Sequence, residues 1–343
     1  MRAAGRSPRR PRSILRILRG DRRGFALLIV LWIFIILVAV GAEFSGEMRE
    51  DAGATANFAG ETQSYYLATA AANRTFYRAL TARDEAKLDV PPEELEEGEE
   101  PLVVIDGEWH RDEIWGAPVW VRIIDETGKI PINLVEENLL RTILGNMGLE
   151  PDHASEIAAS LLDWRDPDDE SRPNGAESDY YLDQPKPYMA KNAKLDSLEE
   201  LLLVRGVTYD LYHGGTEDFP IGLKEIFSVF NRRPSLNVRS ASPEVLKILF
   251  NLDDEQLQQI IDQRASGLGS VFQILQTLLP DPTLGDLLTD ETPNLLIVDI
   301  QAQMPGSPVP ARVAAVVDLG ESNEGVYILR WYDQLPVDEE LHA

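Results

Sequence analysis

The chain has 343 residues, 44% of them hydrophobic, with no cysteine and a formal net charge of −26. That length leaves room for two soluble units beside a membrane anchor, while the missing thiols exclude disulfide stapling and leave stability to a core or a bound ion. Taking the nine arginines and one aspartate of residues 1–24 from the 32 basic and 58 acidic residues leaves 23 against 57, a net −34; such a surface argues against binding a phosphate backbone or anionic lipid and suits cations or a basic protein partner.

The first feature along the chain is Phe25–Ala42 (FALLIVLWIFIILVAVGA), which holds no charge and no proline. An apolar run of about that length is just enough for a helix to cross a bilayer's hydrocarbon core. The arginines before it predict a cytoplasmic N-terminus and an exported remainder. Three readings compete for this stretch. A cleaved signal peptide needs an apolar core of only about 7–15 residues, and Val40-Gly41-Ala42-Glu43 fits its cleavage site poorly. A plain signal anchor is the second. The third rests on Arg22-Arg23-Gly24-Phe25-Ala26-Leu27, whose basic-glycine-apolar junction resembles the site where a prepilin peptidase cuts type IV prepilin-like proteins, after the glycine.

Helical character continues to about Leu80. Eight alanines lie between 52 and 72, and no proline occurs from 25 to 80, so one helix of 56 residues is expected, with Gly41, Gly46, Gly53 and Gly60 as the alternative breaks. Small residues there would let other helices or a sheet approach closely. Residues 89–101 (DVPPEELEEGEEP) read as an acidic loop. Strands are predicted at 102–105 and 119–124, with a turn at Gly107-Glu108 and an end at Gly128.

From about Asn133 to Leu279 the pattern becomes helical. Helices are predicted from near Leu134 to Gly145, from Asp152 as N-cap through Leu162, and from Asp254 to Ala265, stopping at Gly267. Ser197-Leu198-Glu199-Glu200 is a capping box before a leucine-rich run closed by Gly206, and Ser242-Pro243 is an N-cap with proline at the first helical position. Two parts of this block resemble each other: Ile132-Asn133-Leu134 with its two helices, and Leu236-Asn237-Val238 with its two. They look like a pair of helix-hairpin-helix-type units, which elsewhere serve either DNA binding or structure; the acidic second turn, Asn251-Leu252-Asp253-Asp254, favours structure. The tail returns to strands at 295–298, 311–317 and 326–331, with a hairpin turn over 320–325. Isolated two-strand hairpins are marginal, so the strands before and after the block should pair with one another. The predicted fold is α+β: a long N-terminal helix on a small antiparallel sheet, with a large all-α domain inserted in the sheet.

Residues 163–181 (DWRDPDDESRPNGAESDYY) carry Asp163, Asp166, Asp168, Asp169, Glu170, Glu177 and Asp179, in a stretch that Pro167, Pro173 and Gly175 keep from regular helix. Hard oxygen ligands on an irregular loop are what calcium takes at six to eight coordination. The competing reading is a solvated acidic loop. Trp164, Tyr180 and Tyr181 count against it, because they would pull the loop onto the core and crowd its carboxylates. The histidines at 110, 153, 213 and 342 have no zinc-ligand spacing. Nucleophile elbow, zincin, P-loop and dinucleotide motifs are absent from the sequence, and no sugar-binding aromatic cluster accompanies the carboxylates, so a non-enzyme is predicted.

Together RRGFALLIVLWIF, the acid loop, KNAKLDSLEELLLVRGVT, the pair INLVEENLL and LNVRSASPEVL, and the tail ILRW resemble the K-type minor pseudopilins of the type II secretion system, over most of residues 22–332. The resemblance implies cleavage between Gly24 and Phe25 and N-methylation of Phe25. It implies a basic leader at 1–24, the transmembrane half of the helix at 25–42, a pilin-like domain at 43–130 and 290–335, and a helical insertion at 131–289. The insertion would hold one or two calcium ions, drawing on Asp163, Asp166, Asp168, Asp169, Glu177 and Asp179. Most pilin-like proteins carry glutamate as the fifth residue after the cut; here Ile29 stands there, and the K-type members are the ones that characteristically lack this glutamate. The implied role is a single-pass inner-membrane protein with a cytoplasmic N-terminus and periplasmic domain. It would sit at the pseudopilus tip with other minor pseudopilins, beside the major pseudopilin, the prepilin peptidase and the inner membrane as partners, and without nucleic acid. A membrane-anchored DNA-binding or uptake protein using the hairpin units is the alternative. A periplasmic hydrolase is a third class.

Overall fold

The computed structural model describes residues 22–84, 103–266, 275, 288–289, 291, 294–320, 325–338 and 341. The chain divides into two units, the first ending at Gly60 and the second beginning at Glu61. The leader at 1–21, the acidic loop at 89–101, the stop at Gly267, the end of the helical block at Leu279, the turn at 321–324 and His342 lie outside the described residues.

The first unit is helical from Arg22 onward, the start of α1 (Arg22–Asp84). It passes through Gly41, Gly46 and Gly53 without a break, so the alternative reading with breaks at these glycines does not hold. An apolar run without proline keeps every backbone polar group paired inside the helix, which outweighs the conformational cost of scattered glycines. Residues 25–59 are exposed, and the helix is long and apolar enough to cross a membrane.

In the second unit α1 buries Leu67, Ala68, Ala71, Ala72, Ala79 and Ala82 at three-to-four-residue spacing. These small residues pack in one apolar cluster with the sheet of the same chain, the close approach of a sheet that small residues permit. The strands follow in order: β1 (His110–Ile114), β2 (Ala117–Asp125), β3 (Ile130–Pro131), β4 (Phe227–Ser228), β5 (Leu236–Asn237), β6 (Leu288–Thr289), β7 (Leu295–Ala302), β8 (Ala311–Asp318) and β9 (Tyr327–Tyr332). The main sheet runs β1-β2-β7-β8-β9, every pair antiparallel. The pairing of β2 with β7 closes the sheet across the whole helical block, and the fold is α+β with that block inserted.

One strand prediction needs correction. Residues 103–105 form no strand, although Val103 is buried on α1's cluster. The strand lies later, at β1, whose charged sequence HRDEI hides it; an edge strand facing water tolerates such residues. Trp115 and Gly116 join it to β2 with φ of 51° and 78°, the two left-handed residues of a tight hairpin.

The insertion holds α2 (Glu137–Asn146), α3 (Pro151–Arg165), α4 (Ser178–Leu182), α5 (Tyr209–His213), α6 (Leu223–Ile226), α7 (Pro243–Phe250) and α8 (Asp254–Ser266) around its own core. The N-cap of α3 is Glu150 rather than Asp152, because Pro151 takes the first helical position. The capping box at Ser197 and Glu200 forms as predicted but opens a 3-10 helix, Leu198–Leu203. The duplication is real in detail. Arg165, at the end of α3, donates to the carbonyls of Ile132 and Val135; Arg264, in the last turn of α8, donates to those of Val238 and Ala241. Asn133 exchanges hydrogen bonds with the backbone of Leu195 at 2.8 and 2.9 Å, and Asn237 donates to the carbonyl of Glu291 at 3.0 Å. Both arginines are therefore turned inward and burial lowers their pKa, that of Arg264 to about 10; neither is offered to a phosphate backbone.

Candidate metal centre in the acid loop

The loop starts where α3 stops. Asp163 and Trp164 are the last buried residues of that helix, and Asp166 caps its end with an extended backbone. Trp164 meets Tyr181 edge to face at 5.3 Å and Tyr188 at 6.2 Å, while Tyr181 stacks on Tyr188 at 5.1 Å. Tyr181 is fully buried, which raises its pKa, whereas Tyr180 stays exposed under the guanidinium of Arg205. Two of the three aromatics named from the sequence thus anchor the loop, and Tyr188 is the third anchor in fact.

Sequence reasoning paired this loop with KNAKLDSLEELLLVRGVT, and the contacts give the reason. Arg205 donates from its backbone to the Tyr181 hydroxyl at 3.2 Å, and from its guanidinium to the Gly175 carbonyl at 3.2 Å and Glu156 at 2.7 Å. The Tyr188 hydroxyl donates to the Leu203 carbonyl at 2.8 Å. Glu200 accepts from Lys191 at 2.8 Å and from the backbone of Asp196 and Ser197. A motif that looks separate in sequence is the clamp on the loop.

The six carboxylates named as ligands separate into groups. Asp166, Asp168 and Glu177 bring one oxygen each within 4.8 Å of one another. Asp163 is fully buried and bound from within: it accepts from the Arg172 backbone at 3.1 Å and from its guanidinium at 2.7 Å. The same guanidinium reaches Asp166. Asp169 accepts from the Asn192 side chain at 2.9 Å. Asp179 stands exposed in the first turn of α4 and joins no such group. Arg172 and Asn192 were not singled out in the sequence; a basic residue and an amide among so many acids were the available signal.

The electrostatics are one-sided. Burial, then Asp163, Asp166, Asp169 and Asp168, push the Glu177 carboxyl up to about 7. Both Glu177 oxygens, Asp166 Oδ1 and Asn192 Oδ1 are buried without a hydrogen-bond donor. Buried polar atoms are nearly always satisfied, and here all four are acceptors gathered on one loop and its clamp. Such a donor set fits a hard cation. Arg172, whose charge Asp163 and Asp166 favour against the cost of burial, neutralises only one side of the cluster.

A family model described as type II secretion system (T2SS), protein K matches residues 125–214, the stretch that holds α2, α3, the acid loop and its clamp. Relatives named type II secretion system protein K include one from Pectobacterium carotovorum subsp. carotovorum, 27% identical over 57% of this chain and 61% of its own length. Another, from Klebsiella pneumoniae, is 25% identical over 74% of this chain and 79% of its own. This chain therefore spans less than two thirds of the first relative. Among solved structures, a chain of the GspK-GspI-GspJ complex of the enterotoxigenic Escherichia coli type 2 secretion system superposes with a TM-score of 0.60 over 80% of this chain and 97% of its own, at 16% identity, a likeness of fold. The family model over the acid loop and its clamp, and the named relatives over larger parts of the chain, make this chain similar to type II secretion system protein K.

Proposed function

We propose that this chain is a non-enzymatic minor pseudopilin that sits at the tip of a type II secretion pseudopilus and initiates its assembly for export of folded proteins across the outer membrane. One observation carries the reading. In the second unit the end of α1 packs on a small antiparallel sheet, and a helical domain is inserted between β2 and β7 of that sheet. Pilin-like subunits stack through such helices, and a bulky insertion is a reason for stacking to stop. Ile29 fits the same place: a subunit without an acid at that position has nothing to neutralise a neighbour's terminal amine, so nothing need stand above it. The GspK-GspI-GspJ complex supports other minor pseudopilins as partners; the major pseudopilin, the prepilin peptidase and the inner membrane complete the set. The proposed topology is a cytoplasmic leader at 1–24, a span at 25–42 and a periplasmic remainder, with cleavage between Gly24 and Phe25 and methylation of Phe25.

The acid loop belongs to the same proposal. We assign it calcium, one ion or two, with Asp166, Asp168 and Glu177 as the nearest ligands and Asp163, Asp169 and Asp179 as the other acids of the loop. The four buried acceptors without donors support this assignment. The bound cation would supply structural charge neutralisation.

The test is genetic and biochemical. Deleting the gene in its host should abolish both secretion and pseudopilus formation, and full-length protein supplied in trans should restore them. Detergent extraction of the tagged chain should recover small proteins with glycine-apolar starts in fixed ratio. Normal secretion in the deletion strain would refute the role.

A further inference from the structure

We propose that a cavity between the helical insertion and the sheet's edge strand is a docking site for an acidic, extended peptide segment of a partner protein. The cavity measures about 600 Å³ and is lined by the loop before α2, the loop before the capping box, the loop after β4, and β9. That volume lies in the range of sites that hold sizeable ligands, about 300–1,000 Å³.

Its charge is opposite to the rest of the protein. Lys194, Arg232 and Arg330 line it, all exposed, against one carboxylate, Asp196. That carboxylate is already engaged, since it accepts from Lys191 at 2.7 Å. Lys194 and Arg232 make no ion pair among the described residues. In a chain whose remainder after residue 24 carries 57 acids against 23 bases, three cations around one cavity are a local reversal of sign. Electrostatic complementarity of this kind selects partners and steers encounter.

The edge strand supplies the second observation. β9 ends the sheet order, so one of its edges has no strand partner among the described residues. Its register with β8 slips at one place: Val316 pairs with Arg330 and Val317 with Ile328, which leaves Leu329 as an extra, bulged residue. Bulges re-aim side chains and recur next to functional sites. Here the bulge sets Leu329 and Arg330 on the cavity wall together. Val229 and Phe230 add apolar surface to the lining. Cations, apolar wall and an unpaired strand edge match an extended peptide with alternating carboxylates, which would add main-chain hydrogen bonds to its ion pairs.

The probe is a fluorescein-labelled peptide of alternating glutamate and valine, titrated by fluorescence polarisation into the full-length chain in detergent. Binding should weaken roughly tenfold in each of Lys194→Glu and Arg232→Glu, and weaken as salt rises. Lys186→Glu, an exposed lysine outside the cavity, should leave it unchanged. The matching glutamine-valine peptide should not bind. Melting curves of the variants should coincide with wild type, since all three positions are exposed. Absence of binding, or equal binding by the charge-reversal variants, would overturn the proposal. Citrate competing as well as the peptide would overturn it in favour of a small anion. Binding that appears only after residues 85–102 are replaced by a neutral linker would overturn it in favour of the chain's own acidic segment.

Discussion

Gly175 is the residue on which the acid loop closes. Its Cα lies so near the Asp163 carboxylate that a Cβ there would collide with it. Asp163 cannot give way, because it is fully buried and fixed by Arg172. Gly175→Ala should therefore cost about 1–3 kcal/mol, the usual penalty of overpacking, read by chemical denaturation. It should also weaken calcium binding, whereas Gly145→Ala, which meets open space, should do neither. A second residue-scale test lies at the end of β2. Asp125 is buried and accepts from Thr127, Asn237 and Ser240, yet burial outweighs these bonds and raises its pKa. Folding that raises an acid's pKa favours the protonated state. The stability Asp125 contributes is thus full below the ordinary aspartate value and is lost as pH rises from there through its folded pKa. Asp125→Asn removes this slope, so the advantage of wild type over the variant should shrink as pH rises through that window. A constant difference would count against it.

At the scale of elements, the acid loop's identity was legible in sequence because its composition is extreme, and its clamp because a capping box has a fixed spacing. What stayed hidden were partners set by the tertiary fold. Arg172 filling the space between Asp163 and Asp166, Tyr188 stacking on Tyr181, and Asn192 leaving a bare acceptor depend on chain segments that meet only in the fold. The strand β1 was hidden for a different reason, since its charged residues face water on an edge. The pairing of β2 with β7 across the insertion was readable from element order alone. The clamp makes a graded prediction. Ser242→Ala removes a simple N-cap on α7, whose hydroxyl accepts from Val245, and should cost about 1 kcal/mol. Glu200→Ala should cost more, because Glu200 also holds Lys191 and receives the Trp164 indole at 3.5 Å. Equal losses would mean the clamp acts as a cap and nothing else.

For the whole molecule the two proposals separate cleanly, because processing concerns the first unit and the ion concerns the insertion. Gly24→Ala should leave the precursor at full length by intact mass when prepilin peptidase is present, and wild type should be shorter by residues 1–24. A wild-type protein that keeps its leader would refute the processing step. The ion is tested by linkage. An ion bound only by the folded state adds RT ln(1 + [L]/Kd), about 2.7 kcal/mol at a hundredfold excess over Kd. Chelation with EGTA should lower the melting temperature of the full-length chain by several degrees, and excess calcium should restore it. Excess magnesium should restore less, because it demands a tighter octahedral shell than a loop of this kind offers. Glu177→Gln keeps the side chain's size but removes the charge. Its melting curve should respond to EGTA and calcium far less than that of wild type. Without ion it should melt no lower than wild type, because the charge removed is one that burial and four aspartates oppose. A melting temperature indifferent to EGTA in wild type would leave the acid loop as solvated charge held by Arg172, and the pseudopilin role would then stand without its metal.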